Sequence, residues 1–280
     1  YLDNHFADYY KIPRFYTNKA DFGDVDILIS SELMEKMTWS NFKKKVVNDL
    51  SIKQHESSKG LFSVVYENFQ VDFILQSKDS FESTYSFLCF NDIGNIIGRI
   101  FKKFNLKYGE NGLLYVFRRQ DNHYAKDLIV STDFEKIYTF LGLDYQKWLS
   151  GFENKEEMFD WIISSPYFSV QPYLEMSTRM EKRQKERPTI AYFLDYLEEK
   201  KITKSYSFQE RDSYLPIINN FFPEANLISC IKEEQEREQF VLLLKEKYNG
   251  KLIMQLFPRL KGKTLGKFMK DFQEQFDDYE

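Results

Sequence analysis

Two short apolar segments, each carrying aspartate at strand spacing, constrain this 280-residue chain more than any other feature. Asp24-Val25-Asp26-Ile27-Leu28-Ile29 follows the turn-forming Gly23 and reads as one strand. Leu61-Phe62-Ser63-Val64-Val65-Tyr66 and Phe69-Gln70-Val71-Asp72-Phe73-Ile74-Leu75 flank Glu67-Asn68 and read as a β-hairpin. Side chains alternate across a strand. Asp24 and Asp26 therefore share one face, with Val25, Ile27 and Ile29 on the other. Likewise Asp72 and Ile74 share a face whose reverse carries Val71, Phe73 and Leu75.

If these strands are neighbours, three carboxylates converge on a sheet whose back is apolar. Adjacent anions repel and are costly to desolvate unless a cation lies between them. The chemistry suited to such a cluster is two-metal phosphoryl transfer, with ions about 3.5–4 Å apart clamping the attacking and leaving oxygens. Mg²⁺ or Mn²⁺ fits, because a few carboxylates can be completed by phosphate and water. Asp24 and Asp26 would then bridge two ions. Asp72 would bind the catalytic ion and accept the proton of an attacking hydroxyl. The competing reading of a lone Asp-x-Asp is a solvated strand end. The second Asp-bearing strand weighs against it.

Elsewhere the chain reads as mostly helical. Ser40 is placed to cap a helix running to Val47. From about residue 86 onward the apolar spacing is helical, with Gly and Pro punctuation. The expected class is α+β, a mixed N-terminal sheet followed by a mainly helical body. The expected divisions are a catalytic core over 1–85, a helical domain over 86–205 and a basic helical region over 206–280. Aromatic residues make up 18% of the chain, and so many rings, Trp148 and Trp161 included, belong mainly to core. The net charge of −4 means that no global basic field announces a nucleic-acid partner. Cys89 and Cys230 lack CxxC or His companions, which argues against disulfide or zinc frameworks and for a reducing cytoplasm. No apolar run reaches membrane-spanning length. His5, His55 and His123 have no partners at metal or triad spacing.

Positive charge is local. Asn91 is placed to cap a helix bearing Arg99, Lys102 and Lys103 on one face, where they would contact phosphate or form a solvated face. In that helix Gly94 and Gly98 allow close approach of a neighbour. A second basic run spans 177–188, with Arg179, Lys182, Arg183, Lys185 and Arg187 offset by Glu181 and Glu186. It reads more simply as a surface helix. Residues 245–270 carry Lys245, Lys247, Lys251, Arg259, Lys261, Lys263, Lys267 and Lys270 against Glu246 alone, interleaved with Tyr248, Phe257 and Phe268. The amides from Gly262 to Leu265 would suit a backbone phosphate, with Lys251, Lys261, Lys263 and Lys267 adding charge. The alternative there is an amphipathic helical hairpin packed on the core.

Gly23-Asp24-Val25-Asp26-Ile27-Leu28-Ile29 followed by Val71-Asp72-Phe73-Ile74-Leu75 resembles the signature of the polymerase β nucleotidyltransferase superfamily. The match covers about the first 80 residues. Asn249-Gly250-Lys251-Leu252-Ile253-Met254, with Gly262-Lys263-Thr264-Leu265-Gly266, resembles the tail of CCA-adding enzymes. The resemblance implies a catalytic palm at the N-terminus, transfer of a nucleoside monophosphate from an NTP such as ATP to a hydroxyl, and pyrophosphate release. It makes the 3′ end of an RNA, tRNA-like, the favoured acceptor. The family's Gly-Ser or Gly-Gly phosphate cradle is missing from residues 12–22. Three explanations stand open: a cradle upstream of Tyr1, replacement by Thr17, Asn18 and Lys19 beside Gly23, or an inactive copy. Two alternatives remain beside RNA extension: a toxin-like nucleotidyltransferase modifying protein or small molecules, and a degenerate copy kept as a binding module.

Overall fold

The structure is a computed structural model and describes residues 1–174, 187–247 and 249–277. It divides into two compact units. One comprises Tyr1–Phe117 with Ala125–Leu227, the other Arg118–Tyr124 with Ile228–Glu280.

The first unit is α+β and is organised on a mixed five-stranded sheet. In chain order the strands are β1 (Tyr10–Lys11), β2 (Asp24–Ser30), β3 (Gln54–Ser58), β4 (Leu61–Tyr66) and β5 (Phe69–Gln76), arranged β1-β2-β5-β4-β3. The β4–β5 hairpin forms where expected. Glu67 (φ 50°) and Asn68 (φ 66°) both take the left-handed conformation, as the favoured two-residue hairpin turn requires. Beyond it β5 runs parallel to β2, with Val25 opposite Val71, Asp26 opposite Asp72 and Ile27 opposite Phe73.

One face of this sheet is core. Ile27, Ile29, Phe62, Val64 and Phe73 pack with Phe6 of α1 (Leu2–Phe6) and with Phe42 and Val46 of α2 (Trp39–Asp49). The Phe42 and Phe73 rings meet edge to face at 5.5 Å. Helix α2 starts two residues earlier than its sequence suggests. Thr38, not Ser40, is the cap, accepting from the Asn41 amide. The sheet's other face is covered only in part. There α3 (Lys78–Leu88) packs on β2 and β5, and Leu28 and Ser30 are buried.

Helix α4 (Ile93–Lys103) is buried along Ile93, Ile96, Ile97, Ile100 and Phe101. Asp92 rather than Asn91 occupies its cap, and Asn91 is left-handed (φ 59°). A Cβ on Gly94 would meet the Phe87 ring at 2.6 Å, so this glycine serves close packing, whereas Gly98 has nothing nearer than 4.0 Å. Residues after α4 depart from the mainly helical expectation. Leu106–Gly109 (β6), Gly112–Arg118 (β7) and Tyr124–Ser131 (β8) form a three-stranded sheet. Helical and strand readings are hard to separate in a short apolar run such as Gly112-Leu113-Leu114-Tyr115-Val116-Phe117. Pairing with a neighbour decided it: Tyr108 lies opposite Leu113, and Leu106 opposite Tyr115. The body beyond is helical, built from α5 (Phe134–Phe140), α6 (Tyr145–Ser150), α7 (Lys155–Ser164) and further helices at Pro188–Glu199 and Leu215–Phe221. Trp148 and Trp161 are core, and the Trp161 indole donates to the Asp144 carbonyl at 2.8 Å. No helix among the described residues is long and apolar enough to cross a membrane.

The described residues of the second unit are mainly helical from 228 onward, with a turn at 257–261, and are joined by the 118–124 segment between β7 and β8. Asn249 caps Gly250–Leu256 by accepting from the Lys251 and Leu252 amides, and a longer helix spans Gly262–Asp277.

Candidate functional site

The in-register pairing of β2 with β5 builds the site. Opposite residues of a parallel pair lie on the same side of the sheet, with strands about 5 Å apart. Asp26 and Asp72 are such a pair, and Asp24 stands opposite Gln70 one pleat earlier. The acidic row continues outward. Ser63 of β4 pairs with Asp72, and Glu56 of β3 pairs with Ser63. The reverse alternation sends Ile27, Phe62 and Phe73 into the core, so the carboxylates and the greasy face are two sides of the same strands.

Electrostatics show that these carboxylates act on one another. The Asp26 carboxyl is pushed up to about 6, first by burial and then by Asp24, Asp72 and Glu110. Asp24 is exposed, while Asp26 and Asp72 are half-buried. Asp72 is held from its own strand. The Gln70 carboxamide donates to both its oxygens, at 3.2 and 3.1 Å. Among the described residues no three His, Cys, Asp or Glu side chains stand together closely enough, in this arrangement, to hold an ion. Mutual repulsion spreads like charges, and Gln70 draws Asp72 toward itself. The donor set nonetheless fits a hard divalent cation: carboxylate oxygens from adjacent strands, one of them made reluctant to ionise by burial and then by its neighbours.

Lys19 joins this place. Burial pulls its ammonium below the usual lysine range, and Asp24 and Asp21 pull it back up. It lies over the Phe15 and Phe22 rings, both at 4.3 Å, and reaches Asn91 Oδ1 at 3.4 Å. Thr17 and Asn18 behave otherwise. Their amides are committed to the Phe152 and Glu153 carbonyls at 2.9 and 2.8 Å. A Cβ on Gly23 would meet nothing within 4 Å, so open space lies beside Asp24.

The basic residues of α4 do not form one gripping face. Arg99 is partly buried over the Tyr173 ring at 5.3 Å, with a buried Nη1 that has no partner among the described residues, and burial pulls its guanidinium below the usual range. Lys102 is exposed. Of the 177–188 run, Arg179, Lys182, Arg183 and Lys185 lie outside the described residues, and Arg187 pairs with Asp92. In the second unit Lys251, Lys261, Lys263 and Lys267 are all exposed, and Phe257 packs on Phe268 at 5.8 Å. The side chains of Lys245, Lys247 and Tyr248 lie outside the described residues.

Two contributors escaped sequence reasoning. Gln70 was legible in principle, since it precedes Asp72 by one pleat on the same face. Glu110 was not, because it sits in the turn between β6 and β7, a region whose strands had no clear period. No protein-family model matches the chain, and no curated protein matches it significantly.

Proposed function

We propose that this chain is a divalent-metal-dependent nucleotidyltransferase of the polymerase β type, moving a nucleoside monophosphate from an NTP to a hydroxyl. One observation carries the proposal: Asp26 and Asp72 are paired in register on parallel strands, with Asp24 on the same face and Asp26 raised by burial and then by both neighbours. A purely structural strand end would gain nothing from gathering mutually repelling carboxylates. Asp24 and Asp26 would hold two Mg²⁺ or Mn²⁺ ions and Asp72 one of them. Such ions supply charge neutralisation on phosphoryl oxygens. The chain's own work is to orient these carboxylates and, at Asp72, to take the proton of the attacking hydroxyl. Lys19, beside Asp24 and bonded to Asn91, is the residue of the 17–19 segment whose charge would face nucleotide phosphate.

The favoured acceptor is an RNA 3′ end, on the strength of the exposed lysines at 251, 261, 263 and 267. A second reading, a catalytically degenerate binding module, draws support from the Thr17 and Asn18 amides, whose bonds to Phe152 and Glu153 withhold them from phosphate. Incubation with α-³²P NTPs and Mg²⁺, against total RNA and total protein, separates the cases. Labelled RNA supports the first reading and labelled protein redirects the acceptor. No incorporation by folded protein supports the binding module.

A further inference from the structure

Lys103 ends α4 and, unlike the exposed Lys102, is half-buried and lines a cavity of about 310 Å³ within the first unit. Its other walls are Ser169, Gln171, Pro172 and the segment 205–208. That segment is pinned at its start. The Lys204 ammonium donates to the Ile163 and Ser165 carbonyls at 2.8 and 2.7 Å, and the Lys204 carbonyl accepts from the Val170 amide at 3.1 Å. Tyr206 then packs edge-on against Tyr167 at 5.1 Å, and Phe208 against Phe104 at 5.6 Å. Burial alternates along it, with Tyr206 and Phe208 half-buried and Ser205 and Ser207 exposed.

Ser169 is only 2% exposed, yet its hydroxyl has no hydrogen-bond partner among the described residues, and neither have those of Ser205 and Ser207. A buried hydroxyl is costly unless water or a ligand satisfies it. None of the residues lining the cavity is acidic. A last-turn lysine offsets the helix dipole without entering a cavity, as Lys102 can, so the dipole does not account for where Lys103 lies. An ammonium has three donors and no acceptor, and each hydroxyl can add one donor. Donors of this kind converging on one cavity suit the several acceptor oxygens of a phosphate, and charge-assisted bonds to it are the strong ones.

We propose that this cavity is an anion site taking the phosphate group of a nucleotide or of a nucleic-acid backbone, with Lys103, Ser169, Ser205 and Ser207 as donors. It shares no residue with the aspartate site and does not require that site to bind metal.

The test is isothermal titration of the full chain in EDTA, so that no divalent ion can recruit phosphate to the aspartates. The probes are inorganic phosphate, AMP and the dinucleoside monophosphate ApA, which carries a single backbone phosphate. Wild type should bind at least one of them with a Kd of about 1 mM or tighter. Lys103→Gln should weaken that binding by about 10-fold or more, and Ser205→Ala with Ser207→Ala by about threefold or more. Lys103→Arg should stay within about threefold of wild type and Lys102→Gln within about twofold, with thermal unfolding unchanged in all. Tightest binding of AMP supports a nucleotide as the source of the phosphate, and tightest binding of ApA supports a backbone. No binding of any probe at about 10 mM would overturn the site. So would a Lys103→Gln variant that binds like wild type, or a loss in Lys102→Gln as large as in Lys103→Gln.

Discussion

The two faces of the N-terminal sheet are made from the same five strands and the same alternation, yet they serve opposite ends. On one, Phe73 is closed in by Phe42 and Phe62 and contributes by leaving water. On the other, one residue away, Asp72 is kept half in water and tied to Gln70. The apolar face stabilises the fold and tolerates no charge. The acidic face costs stability, a cost held down by the exposure of Asp24 and the partial exposure of Asp26 and Asp72. A sheet can carry an anionic cluster when its reverse supplies the core.

Four measurements would break or sharpen this contrast. The largest effect is expected from the acidic face in catalysis. On the proposed reading Asp24→Asn, Asp26→Asn and Asp72→Asn should each lower Mg²⁺-dependent label transfer by about 1,000-fold or more, since each would remove a metal ligand worth several kcal/mol. Wild-type-like transfer in any of them removes that residue from the site. Next comes the apolar face: Phe73→Ala should destabilise the unit by about 3–5 kcal/mol in denaturant unfolding. A loss under 1 kcal/mol would mean that the sheet is not the core.

The same two faces predict opposite signs for stability. Folding raises the Asp26 carboxyl to about 6, so the folded state binds more protons than the unfolded one between about pH 4 and 6. Stability therefore falls as pH rises through that window, and the penalty is complete above it. Asp26→Asn should stabilise the metal-free protein at pH 8 by about 1–2 kcal/mol, discounted for partial solvation, and by nothing at pH 3. Equal stability of the two proteins at pH 8 would show that the repulsion is screened. The smallest effect belongs to the second unit. Lys263→Ala with Lys267→Ala should flatten the dependence of log Kd for single-stranded RNA on log salt by about 1–2, and an unchanged slope would take these lysines off the backbone.

Much of the acidic site was legible beforehand because its cause is local. Alternation puts Asp24 with Asp26 and sets Asp72 against Phe73, and Glu67-Asn68 marks the hairpin that brings β4 to β5. The basic helix was less legible. Identical spacing of Arg99 and Lys102 describes a gripping face and a partly buried one equally well, and only the Tyr173 ring beneath Arg99 tells them apart. The commitment of the Thr17 and Asn18 amides was illegible for a similar reason, since their partners lie 135 residues away in the chain.

By itself the amino-acid order determined which side chains share a face, where the hairpin turns and that charge and grease are segregated, because these follow from backbone period and turn chemistry among near neighbours. Tertiary structure decided that β5 lies beside β2 with residue 72 level with residue 26, that 106–131 pairs as a sheet, and that Glu110 and Lys19 come to the carboxylates. Register between distant strands depends on how a whole core closes, and no local pattern contains that information.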